Sequence, residues 1–409
     1  MFSQNSNCIE LKDCVACGSH RLKLVLDLGN QPLANSYKLK KDEFQEEYPL
    51  AINRCEDCFH VQLSHSVNPK LMFTDYLYVT GTSKTMHKHC EDFANLVDSM
   101  VHAKTVLDIG CNDGTQLDYF ANLNYETFGV DPAENLYDRS SKNHKVWCNF
   151  FNLDFVEKIE NKFDAIVAQN VFAHGPNPLG FLMAAKRVMH DDSLLFIQTS
   201  QANMIQNNEF DTIYHEHISF FNSQSMKKLC ERAGLHLVDV KHMPIHGTSY
   251  IFVISKTPRN GNVNEIIQKE KDIGLYDEQT YVKYANRCNQ IVEELLEAVS
   301  KFSRSDVGWV CVGYGAPAKG MTLLNYSKLK LDYIVDDNPL KQNRFTPGSS
   351  IPIYSSDVIQ NHNDAICFIP LAWNFYDEIV SKIKQIRKDK FHVGSDQFIT
   401  YFPKVEIKQ

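Results

Sequence analysis

No apolar run in the sequence approaches the roughly 18 residues that a membrane-spanning helix needs. The opening MFSQNSNCIE lacks the basic start and apolar core of a secretory leader, so a cytoplasmic location is expected. Positive charge is also short. Lys and Arg number 42 against 50 Asp and Glu, a formal charge of −8. Nucleic-acid binders usually concentrate basic side chains on one surface, and the lysines here are scattered. Neither a nucleic-acid polymer nor a membrane is therefore an expected partner. Low-complexity segments and short internal repeats are missing too. What is there is 43% hydrophobic and 22% charged, the balance of a folded soluble chain. At 409 residues it is too long for one core and suggests about two to three domains. The 12 cysteines do not suggest a disulfide framework in such a chain. Thiols are expected, with metal ligation wherever they come in pairs.

Two such pairs open the sequence. Cys14-Val-Ala-Cys17 and Cys55-Glu-Asp-Cys58 are each C-x-x-C, and the segment between them is long enough to return the chain to its start. Thiolates two residues apart can bite one ion, and Gly18 permits a turn that points backbone amides at sulfur. Four sulfurs favour tetrahedral zinc. An iron–sulfur cluster also takes four cysteines, but its signatures usually crowd three of them into one short run. Fully coordinated zinc has no open position, so the expected role is structural. Cys8, Cys90, Cys111, Cys148, Cys230, Cys288, Cys311 and Cys367 have no such partners and are expected to be small core or near-surface thiols.

Residues 106–120, VLDIGCNDGTQLDYF, predict a buried parallel strand, a tight glycine turn and a helix. A second strand over 127–130 ends in Asp131, where a fixed carboxylate suits a ribose diol. The loop lacks the third glycine of a dinucleotide fingerprint. It resembles the first motif of the class I S-adenosylmethionine methyltransferases, whose cationic, phosphate-free cofactor lies over the ends of the first two strands. That resemblance assigns Asp108, Gly110, Asn112, Gly114 and Asp131 to the cofactor. Residues 162–167 predict a third strand with Gln169, Asn170 and His174 at its carboxyl end, where ligands lie in open α/β sheets. Gln169 and Asn170 are expected to hold the methionine part of the cofactor, and His174 to face the acceptor. A helix over 180–189, a strand over 193–199, a helix over 224–233 capped by Gly234, and an antiparallel pair over 235–240 and 249–255 complete the sheet.

The run 209–221, EFDTIYHEHISFF, crowds two histidines, acids and a tyrosine into a few positions. Its H-E-H lacks the i, i+4 pairing of H-E-x-x-H, so no metal is expected there. The turn PIHGTSY, with His246 and Gly247, can present amides and hydroxyls to a sugar or phosphate, or can be a plain hairpin turn. After a polar linker over 257–264 and a helical pattern over 263–302, a strand over 307–313 runs into YGAPAKG. A helix from Met321 and a strand over 331–335 ending in DDNP then repeat the strand, glycine loop, helix, strand and acid order of the core. This predicts a second Rossmann-like domain.

Paired cysteines enclosing LGNQPLAN and followed by a methyltransferase core resemble the three-domain sugar C-methyltransferases, which act on nucleotide-linked 4-keto sugars. The likeness continues through AQNVFAH, YHEH, HGTS, YGAPAKG, VDDNP and PLAWNF, nearly the whole length. It implies that Tyr214, Glu216 and His217 sit in the pocket while His215 points elsewhere. It also implies that one tyrosine of the Tyr76/Tyr78 pair lines the site, and that the C-terminal domain helps enclose the sugar nucleotide. Lys319 there either meets a phosphate or is a solvated lysine at a helix start. Thr248 stands where the family commonly has glycine, which puts direct contact there in question.

The chemistry explains the residue types. A carbon beside a ketone accepts a methyl group only after a base removes its proton, and histidine, with an ordinary pKa near 6.5, is a credible base. Tyrosine can donate to the developing enolate oxygen, and glutamate can orient the imidazole. The expected architecture is α/β: a zinc-binding module over 1–75, an S-adenosylmethionine-dependent domain over 76–257, and a helical segment plus Rossmann-like domain over 258–409. The expected protein is a monomer or weak homodimer that methylates a nucleoside-diphosphate keto sugar, at C-3 for preference. O- or N-methylation of a small polar metabolite, or non-catalytic sugar-nucleotide binding, are the alternatives.

Overall fold

The computed structural model describes residues 7–74, 79–82, 84–102, 104–200, 203–243, 249–303, 309–362, 364–388 and 396–409. The chain forms two compact units. The first comprises Met1–Leu24, Asn53–Asn203 and Glu216–Tyr276, and the second Val25–Ile52, Met204–His215 and Asp277–Gln409.

In the first unit a seven-stranded sheet has the order His236–Met243, Ser249–Ser255, Met189–Ser200, Phe163–Gln169, Thr105–Ile109, Glu126–Asp131, Lys145–Cys148. The last five strands in that order are parallel, and the first two close the sheet as an antiparallel hairpin. Alternation along Thr105–Ile109 fills both faces. Val106 packs with Phe93, Val97 and Phe120, while Leu107 and Ile109 pack with Phe172, Leu182 and Phe221. The helix Thr115–Asn122 starts at Gly114, whose φ of 84° a side chain would resist. The helix Ser223–Ala233 has a capping box between Asn222 and Ser225 and ends at Gly234 in the left-handed region, as a C-cap should.

The cysteine-bearing segment joins this unit through strand pairing. Val61–Leu63 runs antiparallel to Ser219–Phe220, with Gln62 opposite Ser219 and Val61 opposite Phe220. Arg232 of the helix Ser223–Ala233 donates to the Ala16 carbonyl at 2.6 Å.

The second unit has its own seven-stranded sheet, ordered Arg344–Phe345, Pro352–Tyr354, Tyr333–Val335, Val310–Tyr314, Ile366–Pro370, Gln397–Thr400, Glu406–Lys408. Its five central strands are parallel. This is the second Rossmann-like sheet that the repeated glycine-loop pattern predicts. The helical pattern over 263–302 is not one helix. It divides into Val263–Asp272 and Glu278–Ser303, because Gly274 at φ 78° ends the first, and the two fall in different units.

A buried ion pair fixes one end of the second sheet. Arg387, 1% exposed, donates to both carboxylate oxygens of Asp396 at 2.6 and 3.0 Å and to the carbonyls of Ile359, His362 and Asp364. Removing one partner leaves a buried charge uncompensated, so Arg387→Met should cost about 3–5 kcal/mol in urea unfolding, and adding Asp396→Leu should recover part of that loss. Equal stability of wild type and single variant would contradict this account.

Candidate active site

The glycine loop after Thr105–Ile109 is held by the second strand. Gly110, at φ 76°, donates to the Val130 carbonyl at 2.7 Å, and a Cβ on it would come within 3.0 Å of Val171. Asn112, at φ 50°, donates its backbone N–H to Asp131 Oδ2 at 2.8 Å, while Ala133 donates to Asp131 Oδ1 at 2.8 Å. Each oxygen of Asp131 keeps a further lone pair for a hydroxyl. The side-chain carbonyl of Asn112 accepts from the Thr80 N–H and hydroxyl at 3.0 and 3.2 Å, so it fastens the turn at 80–82 to the loop. Asp113 beside it takes the Gly81 N–H at 3.1 Å and pairs with Arg139 at 3.0 Å.

The electrostatics suit a cation. Asp108 is 3% exposed, and burial together with the Asp131 carboxylate pushes its pKa up to about 8. Burial also raises Asp131, against the pull of its two backbone N–H donors. Two carboxylates that resist ionisation are relieved by a positively charged ligand, and a sulfonium is one.

At the end of Phe163–Gln169 stands Asn170, whose φ of 54° turns the chain and whose N–H donates to the Gln198 carbonyl at 2.8 Å. The short helix Phe172–His174 follows. Ile218 donates to the Ala173 carbonyl at 2.9 Å, and this bond lays Glu216 and His217 against that helix. The His217 and His174 rings stack, with centroids 5.3 Å apart and planes at 23°, and His174 also stacks on Phe73 at 5.5 Å. His217 is 9% exposed and Glu216 4%. The Nε2 of His174 is buried and has no hydrogen-bond partner among the described residues, and burial lowers its pKa to about 4. An unpaired buried imidazole nitrogen at the carboxyl end of a parallel sheet is a place for a ligand's polar group.

The motif residues before Glu216, and Lys319, belong to the second unit. Tyr214 is half-buried in the second unit. His215, 1% exposed in that unit, lies 3.2 Å from the Tyr48 carbonyl through Nε2, and burial lowers its pKa to about 4. Lys319 stands 4.7 Å from the centre of the Trp373 ring, and Trp373 Nε1 donates to the fully buried Asp211 at 2.8 Å. Burial raises Asp211 to about 6 while the Lys319 charge pulls it down. Tyr76, Tyr78, His246 and Gly247 lie outside the described residues. Sequence reasoning missed His89, Gln116 and Gln198, which carry hydrogen bonds to or beside Gln169. Nothing in a helical histidine or a strand glutamine marks such a role before the fold brings them together.

The four cysteines converge. Their sulfurs lie within 4.8 Å of one another, with Cys14–Cys58 and Cys17–Cys55 each 3.6 Å apart. A zinc–sulfur bond of about 2.3 Å gives a tetrahedral edge of about 3.8 Å, so the cluster fits a tetrahedral ion. The two halves are built alike. Gly18 and Phe59, each following a second cysteine, adopt φ 83° and 58° and donate to the carbonyls of Cys14 and Cys55 at 2.8 and 3.0 Å. The neighbouring thiols and burial raise Cys14 and Cys58, a cost that a bound dication removes by taking thiolates.

A glycine loop of this geometry on a doubly wound sheet closed by a hairpin defines a class I S-adenosylmethionine-dependent methyltransferase, and the chain is such an enzyme. Family models match in succession: a zinc binding domain over 14–73, a methyltransferase domain over 84–240 and a C-methyltransferase C-terminal domain over 244–403. C-methyltransferase NovU of Streptomyces niveus is 28% identical over 97% of each chain. A ubiquinone biosynthesis O-methyltransferase of Neisseria meningitidis is 22% identical over 43% of this chain and 82% of its own. A solved S-adenosylmethionine-dependent methyltransferase from Clostridium acetobutylicum aligns with 42% of this chain and 92% of its own, at 13% identity and a TM-score of 0.35. Along nearly its whole length the chain is thus similar to a C-methyltransferase, with a zinc binding domain preceding the methyltransferase domain.

Two outcomes are expected. Purified protein should carry one structural zinc, and Cys55→Ser should lose metal and thermal stability together; metal analysis showing full zinc in that variant would contradict the ligand set. The second concerns charge. An ionised Asp108 favours a cation, so affinity for S-adenosylmethionine should rise about three- to tenfold as pH climbs from 7 through 8. The uncharged thioether of S-adenosylhomocysteine should show a flatter profile. Calorimetry giving one slope for both ligands would remove Asp108 from this coupling.

Proposed function

We propose that the enzyme methylates a carbon beside the ketone of a nucleotide-linked 4-keto deoxysugar, at C-3 for preference, through an enolate made by His217. The observation that carries this reading is the buried pair of imidazoles, His217 and His174, stacked 5.3 Å apart at the carboxyl end of the central sheet. The match of residues 244–403 to a C-methyltransferase C-terminal domain and the likeness to a C-methyltransferase along the whole chain support transfer to carbon. S-adenosylmethionine supplies an electrophilic methyl group.

His217 takes the proton from the acceptor carbon. His174, kept neutral by burial, lets it do so without a like charge beside it, and offers its unpaired Nε2 to a polar group of the acceptor. Glu216, adjacent in the chain and buried, stabilises the imidazolium. Tyr214, two positions earlier, donates to the enolate oxygen. Asp108, Gly110, Asn112, Gly114, Asp131, Gln169 and Asn170 hold the cofactor. An O-methyltransferase needs only to deprotonate a hydroxyl, and a second buried imidazole with an unfilled nitrogen exceeds that need.

The test incubates the protein with methyl-labelled S-adenosylmethionine and a panel of 4-keto sugar nucleotides, then locates the label by NMR. Label on the carbon beside the ketone is expected; label on oxygen or nitrogen would overturn the reading. His217→Asn should lower turnover about 100- to 10,000-fold with cofactor affinity nearly unchanged, and wild-type rates would remove His217 from the mechanism.

A further inference from the structure

Beneath the cofactor loop a polar network joins four elements of the first unit. His89 lies on the helix Lys84–Asp98, Gln116 on the first turn of Thr115–Asn122, and Gln169 and Gln198 face each other in register on adjacent parallel strands. His89 Nε2 is 3.0 Å from Gln169 Oε1 and 2.9 Å from Gln198 Oε1. Both partners are acceptors, so the proton sits on Nε2. The other end of the Gln169 amide donates to Gln116 Oε1 at 2.8 Å, and Gln116 in turn donates to the Cys90 carbonyl at 3.1 Å. His89, Gln116 and Gln198 are buried, whereas Gln169 is only half-buried. One donor of the network, Gln198 Nε2, is buried with no partner among the described residues, as expected of a site that awaits an acceptor group.

A glutamine amide can turn over and exchange its donor for its acceptor, and a site that must recognise both a carboxylate and an ammonium cannot tolerate that exchange. We propose that His89 is a positioning residue that, with Gln116, locks the amide of Gln169 in one orientation at the amino-acid end of the bound cofactor. This rests on the reading that Gln169 meets the methionine part. Burial lowers the His89 pKa, so the ring remains a neutral donor through the working pH range.

The test uses the full-length zinc-loaded protein and two probes that differ by the amino-acid chain: S-adenosylhomocysteine, which has it, and 5′-methylthioadenosine, which does not. His89→Ala should weaken the first about three- to tenfold and leave the second within about twofold. His89→Gln, which can place a donor nitrogen at the same reach, should restore most of the loss. Equal weakening of both probes, or of neither, overturns the proposal. Gln169→Ala is measured in parallel. A selective loss there without one at His89→Ala refutes the positioning role alone, and no selective loss at Gln169→Ala refutes the reading beneath it. If His89→Ala does not fold, Gln116→Met removes the lock from the other side of the amide and is judged by the same two probes.

Discussion

The N–H of Ile218 donates to the Ala173 carbonyl, and the Ile218 carbonyl accepts from Leu63. These two bonds join three segments that have little else in common: the short helix Phe172–His174 after a central strand, the YHEH run and the chain that leaves the second cysteine pair. Val61–Leu63 begins three residues after Cys58, so the metal site sets where that strand lies. The strand sets Ser219–Phe220 by antiparallel pairing, and His217 then has one place to go, against His174. A module of this size has a thin core of its own, and metal binding can add about 10–16 kcal/mol to its folding. Four thiolates would leave a zinc no open position, so its part in the proposed reaction would be to fix backbone geometry.

The electrostatics of the sheet mouth are arranged by burial more than by ion pairs. Asp108 rises to about 8 and His174 falls to about 4 for the same reason, that a charge in a dry site is costly. The result is a neutral imidazole and a reluctantly ionised carboxyl at the carboxyl ends of the central strands, which is what the proposed reaction asks of them. Both settings depend on packing, so substitutions that admit water here would move the protonation states before they moved the fold.

Much of this was legible in the sequence because the signals are local. The strand–glycine loop–helix run, the acid at Asp131 and the C-cap at Gly234 each follow from a few adjacent residues whose conformational needs are narrow. The two C-x-x-C pairs were as plain, since ligand spacing is a short-range constraint, and the methyltransferase class with its cofactor followed from the loop. The strands at Glu47–Cys55, Arg344–Phe345 and Pro352–Tyr354 were not legible, because they are short or irregular in pattern and owe their form to pairing partners. The break at Gly274 was hidden inside a continuous helical pattern. The His89 network had no signal at all, because its members come from four elements and meet only in the folded state.

The run 209–221 shows how crowding in a sequence can mislead. Read as a string, Glu209, Asp211, Tyr214, His215, Glu216 and His217 form one chemical cluster. In the structure the chain passes from one unit to the other between His215 and Glu216. Asp211 and His215 are spent within the second unit, Asp211 as acceptor for Trp373 and His215 against the Tyr48 carbonyl. Thr322 adds a third tie by donating to the Ile213 carbonyl at 2.9 Å. Each tie is a buried polar group whose loss would leave a partner unsatisfied, so together they fix the backbone on either side of Tyr214. Two of the six reactive-looking residues in the motif, Asp211 and His215, are therefore fasteners. Their work is to hold the backbone around Tyr214 within the second unit.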